Sequence, residues 1–337
     1  MSSSLIRAHL PPTLTLVIAA FNEAEALPLL HPRLAAALDA MPDIDGRVLY
    51  VDDGSRDGTW DVLQQLAASD PRVALLRLAR NFGKEPALTA GLDHVDTDAA
   101  IVLDADGQDP PELVPAFVAK WREGYDVVYG TRSRRDGESW FKRFTAAAFY
   151  RVMNRLSNIP VPPDTGDFRL VSRRVLDALR QTRERQRFMK GLFAWVGFRQ
   201  VALAYERAPR IAGRSKFSYW RLWNLALEGI TSFSTLPLRM ATYIGVLTAL
   251  VAFGWGSWII ARTLLWGDPV QGWPSLMTVV LFLGGIQLMA LGIVGEYLGR
   301  TYIEVKQRPL YLVSDEIQAA PVGAASAATE IARSDRG

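Results

Sequence analysis

The chain contains no cysteine, which excludes disulfides, thiolate metal sites and cysteine nucleophiles, and makes a reducing compartment unproblematic. It has only three histidines, and His31 and His94 stand alone without a partner at metal-ligand spacing. No Gly-x-Gly-x-x-Gly turn follows the first apolar strand, and no Gly-x-x-x-x-Gly-Lys-Ser/Thr occurs. The backbone cradles that hold pyrophosphate in dinucleotide-binding enzymes and P-loop nucleotidases are therefore missing. Met1 to Pro12 has no apolar core of signal-peptide length, so the N-terminal half is expected to stay on the side where it is made. The formal net charge of +3 over 337 residues singles out no partner, and no nucleic acid is expected.

What is present divides in two. Ala241 to Ala261 and Ser275 to Gly295 carry no charged residue, and each is about 20 residues long, the length a helix needs to cross hydrocarbon. Trp255, Trp258, Trp266 and Trp273 lie where interfacial indoles collect. Arg239, Arg300, Lys306 and Arg308 flank the pair from outside. That bias puts both termini of a multi-pass membrane protein in the cytoplasm. Gly284, Gly285, Gly292 and Gly295 allow close helix packing, and we expect a homo-oligomer.

The N-terminal half alternates strands (Leu14–Ala20, Val48–Val51, Val73–Leu78, Ala99–Leu103, Val127–Tyr129) with amphipathic helices. This predicts an α/β fold, a mostly parallel sheet with helices on both faces. Ligands of such sheets bind at the carboxyl ends of the strands. Acidic clusters follow the first, second and fourth strands there: Asn22-Glu23, Asp52-Asp53 and Asp104-Ala105-Asp106-Gly107-Gln108. With no phosphate loop, charge compensation falls to a divalent cation. Asp104 and Asp106 are two apart at a strand end, a spacing that aims both the same way. Hard oxygen ligands suit Mg2+ or Mn2+, and Gln108 adds a carbonyl.

These motifs, with Asn81-Phe82-Gly83-Lys84, Gly166-Asp167-Phe168-Arg169-Leu170, Arg187-Phe188-Met189-Lys190-Gly191, Gly213-Arg214-Ser215-Lys216-Phe217 and Glu296-Tyr297-Leu298-Gly299-Arg300, resemble the family-2 glycosyltransferases of GT-A fold. Within that family the chain is similar to the polyprenyl-phosphate glycosyltransferases, relatives of dolichol-phosphate mannose synthase, over about Leu14 to Val313. It departs from them at Ala19, where proline is usual, and it lacks the Gln-x-x-Arg-Trp of polymer-making synthases.

The resemblance implies that Asn22, Glu23, Asp52 and Asp53 hold the uridine of a UDP-sugar, with Lys84 near its diphosphate. It implies that Asp104, Asp106 and Gln108 hold the metal, with Asp104 also at the donor and Asp106 in a catalytic position. Asp167 stands where related enzymes keep a base, and shaping the sugar pocket is an equal alternative. Arg132, Arg143, Arg210 and Lys216 match positions facing the acceptor phosphate. Trp140 to Leu156 and Phe217 to Leu238 read as amphipathic helices lying in the face of a lipid bilayer.

The division expected is a catalytic domain over 1–216, a juxtamembrane helix over 217–238, a two-helix membrane domain over 239–300 and a cytoplasmic segment over 301–337, disordered from about 319. The resemblance implies inverting transfer of one hexose, glucose from UDP-glucose, to undecaprenyl phosphate on the cytoplasmic face of a bacterial inner membrane. Another donor sugar (GDP-mannose, UDP-GlcNAc, UDP-galactose or a UDP-aminoarabinose derivative) is the alternative, and a non-catalytic membrane scaffold the more distant rival.

Overall fold

The computed structural model describes residues 11–132, 165–185, 187, 189–206, 236–266 and 272–319. Eight strands form one sheet: β1 (Thr13–Ala20), β2 (Asp45–Asp52), β3 (Val73–Leu78), β4 (Ala99–Asp104), β5 (Val127–Arg132), β6 (Thr165–Ser172), β7 (Gln200–Tyr205) and β8 (Val313–Ile317). Their spatial order is β7-β5-β6-β4-β1-β2-β3-β8. The helices are α1 (Leu27–Asp39), α2 (Thr59–Ser69), α3 (Lys84–His94), α4 (Val114–Arg122), α5 (Arg173–Gln181), α6 (Met189–Trp195), α7 (Leu236–Trp266) and α8 (Trp273–Val305).

β4, β1, β2 and β3 run parallel to their neighbours. Their near-continuous apolar sequences reflect burial on both faces: Leu14, Leu16, Val17 and Ile18 of β1 are inaccessible to solvent. Helices between successive strands supply the cover, as right-handed crossovers require. β1 sits at the centre with Ala19 opposite Asp104 and Ala20 opposite Asp52. That register brings the ends of β2 and β4 to the two sides of the end of β1.

The other half of the sheet is mixed. β6 pairs antiparallel with both β4 and β5, and β7 returns parallel to β5. β6 thereby carries the Gly166-Asp167-Phe168-Arg169 stretch next to β4. The core under this half is aromatic: Phe117 stacks on Phe168 at 4.4 Å, and Tyr205 meets Phe168 edge-on at 5.7 Å.

β8 departs from the sequence expectation of a plain cytoplasmic continuation. Val313–Ile317 pairs antiparallel with β3 and closes the edge of the sheet. The segment is short and exposed along its length, with no apolar alternation to mark it as a strand. The chain divides into two units, and residues 308–319 belong with the sheet, separate from the helical unit.

In the helical unit α7 and α8 contain 31 and 33 residues, and each extends beyond the charge-free run read from the sequence. Met240–Trp258 and Phe282–Val305 are long and apolar enough to cross a membrane. Their large side chains are open to the surroundings, with Phe253 77% and Leu264 81% exposed. Water is a poor solvent for an apolar surface of that extent.

The amphipathic stretches read at Trp140 to Leu156 and Phe217 to Leu238 fall outside the described residues, apart from the first turn of α7. The tail from residue 320 also falls outside them.

Candidate active site

Three loops meet at the carboxyl ends of β1, β2 and β3, and short polar side chains latch them. Asn22 sits at φ 55°, a left-handed conformation that asparagine tolerates better than most residues. Its N–H donates to Ser55 Oγ at 2.9 Å, and its Oδ1 accepts from the N–H of Arg56 at 2.9 Å. The N–H of Glu23 donates to Thr59 Oγ1 at 2.9 Å. Gly54, at φ 63°, has no room for a side chain, because a Cβ there would lie 2.4 Å from the carbonyl carbon of Arg80.

Asp52 and Asp53 stand at the end of β2 and do different work. Asp52 is wholly buried; its Oδ1 accepts from the N–H of Ser55 at 3.0 Å. Its Oδ2 lies 3.3 Å from Arg77 Nε and makes no hydrogen bond. The Asp53 carboxylate accepts from the N–H of Phe82 at 2.7 Å, the N–H of Gly83 at 2.9 Å and Asn81 Nδ2 at 3.0 Å. Burial pushes its pKa up to about 6 despite those donors, with the neighbouring Asp52 adding to the rise. The sequence reading puts both aspartates at a uridine; the structure shows Asp53 binding the turn into α3. That clamp was missed because nothing in the sequence pairs Asp53 with residues 81–83, although both motifs were visible.

A cavity of about 430 Å3 opens beside these loops, lined by Ser55, Arg56, Arg77, Arg80, Asn81 and Asp315 among others. Arg77 lies over the Trp60 ring at 5.1 Å and Arg80 over Phe82 at 4.5 Å. Asp315 comes from β8, so the chain beyond the long helices contributes to this wall.

Lys84 is the first residue of α3, immediately after Gly83 at φ 102°. Its Nζ lies 2.5 Å from Asp104 Oδ1 and 2.5 Å from Asp167 Oδ2. One ammonium thus joins the end of β4 to β6. Enclosure works against the charge on Lys84, but the two carboxylates outweigh it and raise its pKa above the usual lysine value. Burial likewise opposes the charge of Asp167. Lys84, Lys190 and Arg169 overcome it and hold the carboxylate ionised well below the usual range. Arg169 is buried against the Phe193 ring at 4.1 Å, and burial lowers its pKa to about 10. Glu85 accepts from the N–H of Met189 at 3.0 Å, tying α3 to the start of α6. Burial and the nearby Asp167 raise the Glu85 pKa. Glu85 carries no signal in the sequence, and Lys190 stands in the Arg187–Gly191 motif without an assigned role.

Asp106 is buried in the turn after β4, where its Oδ1 accepts from the N–H of Gln108 at 3.1 Å. Arg33 of α1 makes a two-point pair with Glu112, and its Nη1 lies 3.5 Å from the carbonyl of Gly107. Tyr205 at the end of β7 donates to Asp109 at 2.7 Å. The 104–109 turn is thereby anchored at Gly107 and at Asp109. Asp104, Asp106 and Gln108 offer oxygen donors only, which fits a hard divalent cation. Among the described residues no three His, Cys, Asp or Glu side chains group closely enough to hold a metal by themselves. Two carboxylates that leave positions for phosphate oxygens are the pattern expected of Mg2+ and Mn2+ with a nucleotide.

Arg132 closes β5, one sheet position from β6. Its side chain, and all of Arg143, Arg210 and Lys216, lie outside the described residues.

A sheet with carboxylates at the ends of β2 and β4, no phosphate loop and an antiparallel β6 beside β4 is the GT-A type of nucleotide-sugar transferase domain. Residues 15–180 match the family model Glycosyl transferase family 2, and residues 236–301 match GtrB C-terminal hairpin. An uncharacterized glycosyltransferase of Synechocystis is 51% identical over 302 residues, covering 90% of this chain and 95% of that protein. The bactoprenol glucosyl transferase of Shigella phage SfV is 48% identical over 305 residues, covering 90% and 99%. The prophage bactoprenol glucosyl transferase homolog of Escherichia coli K12 is 48% identical over 300 residues, covering 89% and 98%. The chain belongs to glycosyl transferase family 2 and is an enzyme of that class.

Proposed function

We propose that this enzyme transfers a single glucose from UDP-glucose to a polyprenyl phosphate, undecaprenyl phosphate in a bacterial membrane, with inversion at the anomeric carbon. One observation carries the reading. Asp104 and Asp106 stand at the mouth of a GT-A sheet in a chain whose second unit is a pair of exposed, membrane-length apolar helices. A soluble donor and a lipid acceptor are the substrates such a molecule is built to join. The 48% identity to bactoprenol glucosyl transferases over nearly their full length supports the choice of sugar and acceptor.

The nucleophile is a phosphate oxygen of the acceptor. It forms a bond to the anomeric carbon as the bond from that carbon to the UDP oxygen breaks, and UDP leaves with the electron pair. A phosphate monoester is mostly ionised near neutrality, its second pKa being about 6, so no strong base has to act. Asp167 agrees with this: a carboxylate held far below its usual pKa is a poor proton acceptor. We assign it to holding Lys84 and shaping the donor pocket.

Asp104, Asp106 and Gln108 would hold a divalent cation, which supplies compensation for charge growing on the leaving diphosphate. Asn22, Glu23, Asp52 and Asp53 form and brace the loops at the nucleoside end. Arg132, Arg143, Arg210 and Lys216 are proposed for the acceptor phosphate, where bidentate arginines suit phosphate oxygens. The two helices would place the site at the cytoplasmic surface of the bilayer, both termini on that side, with self-association through their glycine-bearing faces.

The test is a donor panel. Detergent-purified full-length protein is given undecaprenyl phosphate and labelled UDP-glucose, UDP-galactose, UDP-GlcNAc or GDP-mannose, and lipid-linked product is counted. UDP-glucose is expected to dominate. A preference for another donor overturns the sugar assignment, and no product with any donor overturns the reaction.

A further inference from the structure

The contact of Lys84 with Asp104 has a consequence for metal binding. Lys84 is delivered to its place by a chain of fixed parts: β2 ends in Asp53, Asp53 grips the N–H groups of Phe82 and Gly83, and Gly83 turns the chain into α3. The side chain then spans to two acidic groups from different strands, at 2.5 Å each. Lys84 keeps 46% of its side chain exposed and Asp104 22%, so solvent reaches one side of a contact that the protein otherwise encloses.

A divalent ion on Asp104 and an ammonium on the same carboxylate are two cations within a few ångströms, and they repel. Asp104 is the member of the Asp104–Asp106 pair that Lys84 touches; Asp106 turns inward to the N–H of Gln108.

We propose that Lys84 is an internal counter-cation that holds Asp104 and Asp167 together, and that it binds Asp104 in competition with the divalent ion. The ion displaces Lys84 from Asp104, and the freed ammonium is then available to an incoming diphosphate. This inference rests on the metal reading given above. It makes metal and donor binding mutually supportive: the ion frees Lys84, and phosphate oxygens give the freed ammonium a new partner. By linkage, donor then tightens the metal as much as metal tightens the donor.

The alternative role for the same geometry is orientation, in which Lys84 holds Asp104 ready for the ion. The two roles differ in sign. Removing a competitor strengthens metal binding, whereas removing an orienting partner weakens it. General damage to the site would also weaken it.

The experiment is titration of Mn2+ into detergent-purified, nucleotide-free full-length protein, with free Mn2+ read by electron paramagnetic resonance. Lys84→Met and Lys84→Gln remove the charge, Lys84→Arg keeps it, and Asp104→Ala with Asp106→Ala identifies the site titrated. Both neutral variants are expected to bind Mn2+ about tenfold more tightly than the wild type, a coupling of ordinary size between linked sites. Lys84→Arg is expected to stay near the wild-type value. With UDP present the gain is expected to shrink, because the wild-type lysine then has phosphate to pair with. Equal or weaker Mn2+ binding by both neutral variants, where the wild type binds, overturns the competition and leaves the metal site standing. Absence of Mn2+ binding in wild type and neutral variants alike overturns the metal reading, and the competition falls with it.

Discussion

The hydroxyl of Tyr205, the last residue of β7, donates to the buried carboxylate of Asp109 at 2.7 Å. This one bond ties the far half of the sheet to the turn that carries Asp106 and Gln108. It also explains why Gly130 of β5 has no side chain: a Cβ there would lie 2.6 Å from the Tyr205 ring. Tyr205→Phe keeps the ring and removes the donor. Leaving a buried acceptor short of its partner costs about 1–3 kcal/mol. We expect a lower melting temperature for Tyr205→Phe, and a weaker apparent metal affinity as the turn loosens. Thermal melts and Mn2+ activation curves check both; a variant unchanged in either contradicts the anchoring role.

Asp53 gives a pH signature. Its pKa is about 6 in the folded protein, against roughly 3.9 in an unfolded chain. Between those values the folded state binds more protons than the unfolded one, so the contribution of this group to stability falls as pH rises from about 4 to 6. Asp53→Asn lacks that term and also exchanges one carboxylate oxygen for an NH2 group, so either Phe82 or the pair Asn81 and Gly83 faces a donor in place of its acceptor. The variant is expected to be less stable throughout. The gap between it and the wild type should be widest near pH 4.5 and narrower at pH 7.5. Melting temperatures of the pair across that range provide the measurement, and a constant gap contradicts the raised pKa.

β8 is the edge strand on β3, and it brings Asp315 to the arginine-lined cavity. A chain ending at Leu312 leaves the ladder groups of β3 unpaired and removes that wall. We expect a melting temperature lower by about 2–4 °C for each kcal/mol lost, greater aggregation from the bare edge, and a raised KM for the donor. A chain ending at Ala319 keeps the strand and should behave as the full protein does. Equal KM values for both truncations would separate β8 from donor binding.

Much of the fold was legible because its central strands are apolar on both faces and end in charged turns. The apolar run Val73–Leu78 matches β3, and the other four expected strands differ from β1, β2, β4 and β5 mainly at their ends. The carboxylate clusters were found because strand ends in such sheets gather ligands, a rule that needs no contact information. What escaped were relations between distant residues. The resemblance implies a place for Lys84 near a diphosphate; its bonds to Asp104 and Asp167 depend on β6 lying beside β4, a register no local pattern encodes. The clamp of Asp53 on residues 81–83 is of the same kind. β8 escaped because an exposed, charged edge strand has no alternation to betray it. Helix ends were underestimated because α7 and α8 continue past their charge-free runs into mixed sequence.

The central claim is that Asp104 and Asp106 act through a divalent cation. The direct measurement is transfer of labelled glucose to undecaprenyl phosphate by the detergent-purified enzyme. It is run before EDTA, after EDTA and after Mn2+ is restored, with the Asp104→Ala, Asp106→Ala double variant beside it. We expect EDTA and the double substitution each to lower the rate by at least about 100-fold, as loss of leaving-group charge stabilisation does, with Mn2+ rescuing the wild type alone. Full activity in EDTA, or in the double variant, would contradict the account.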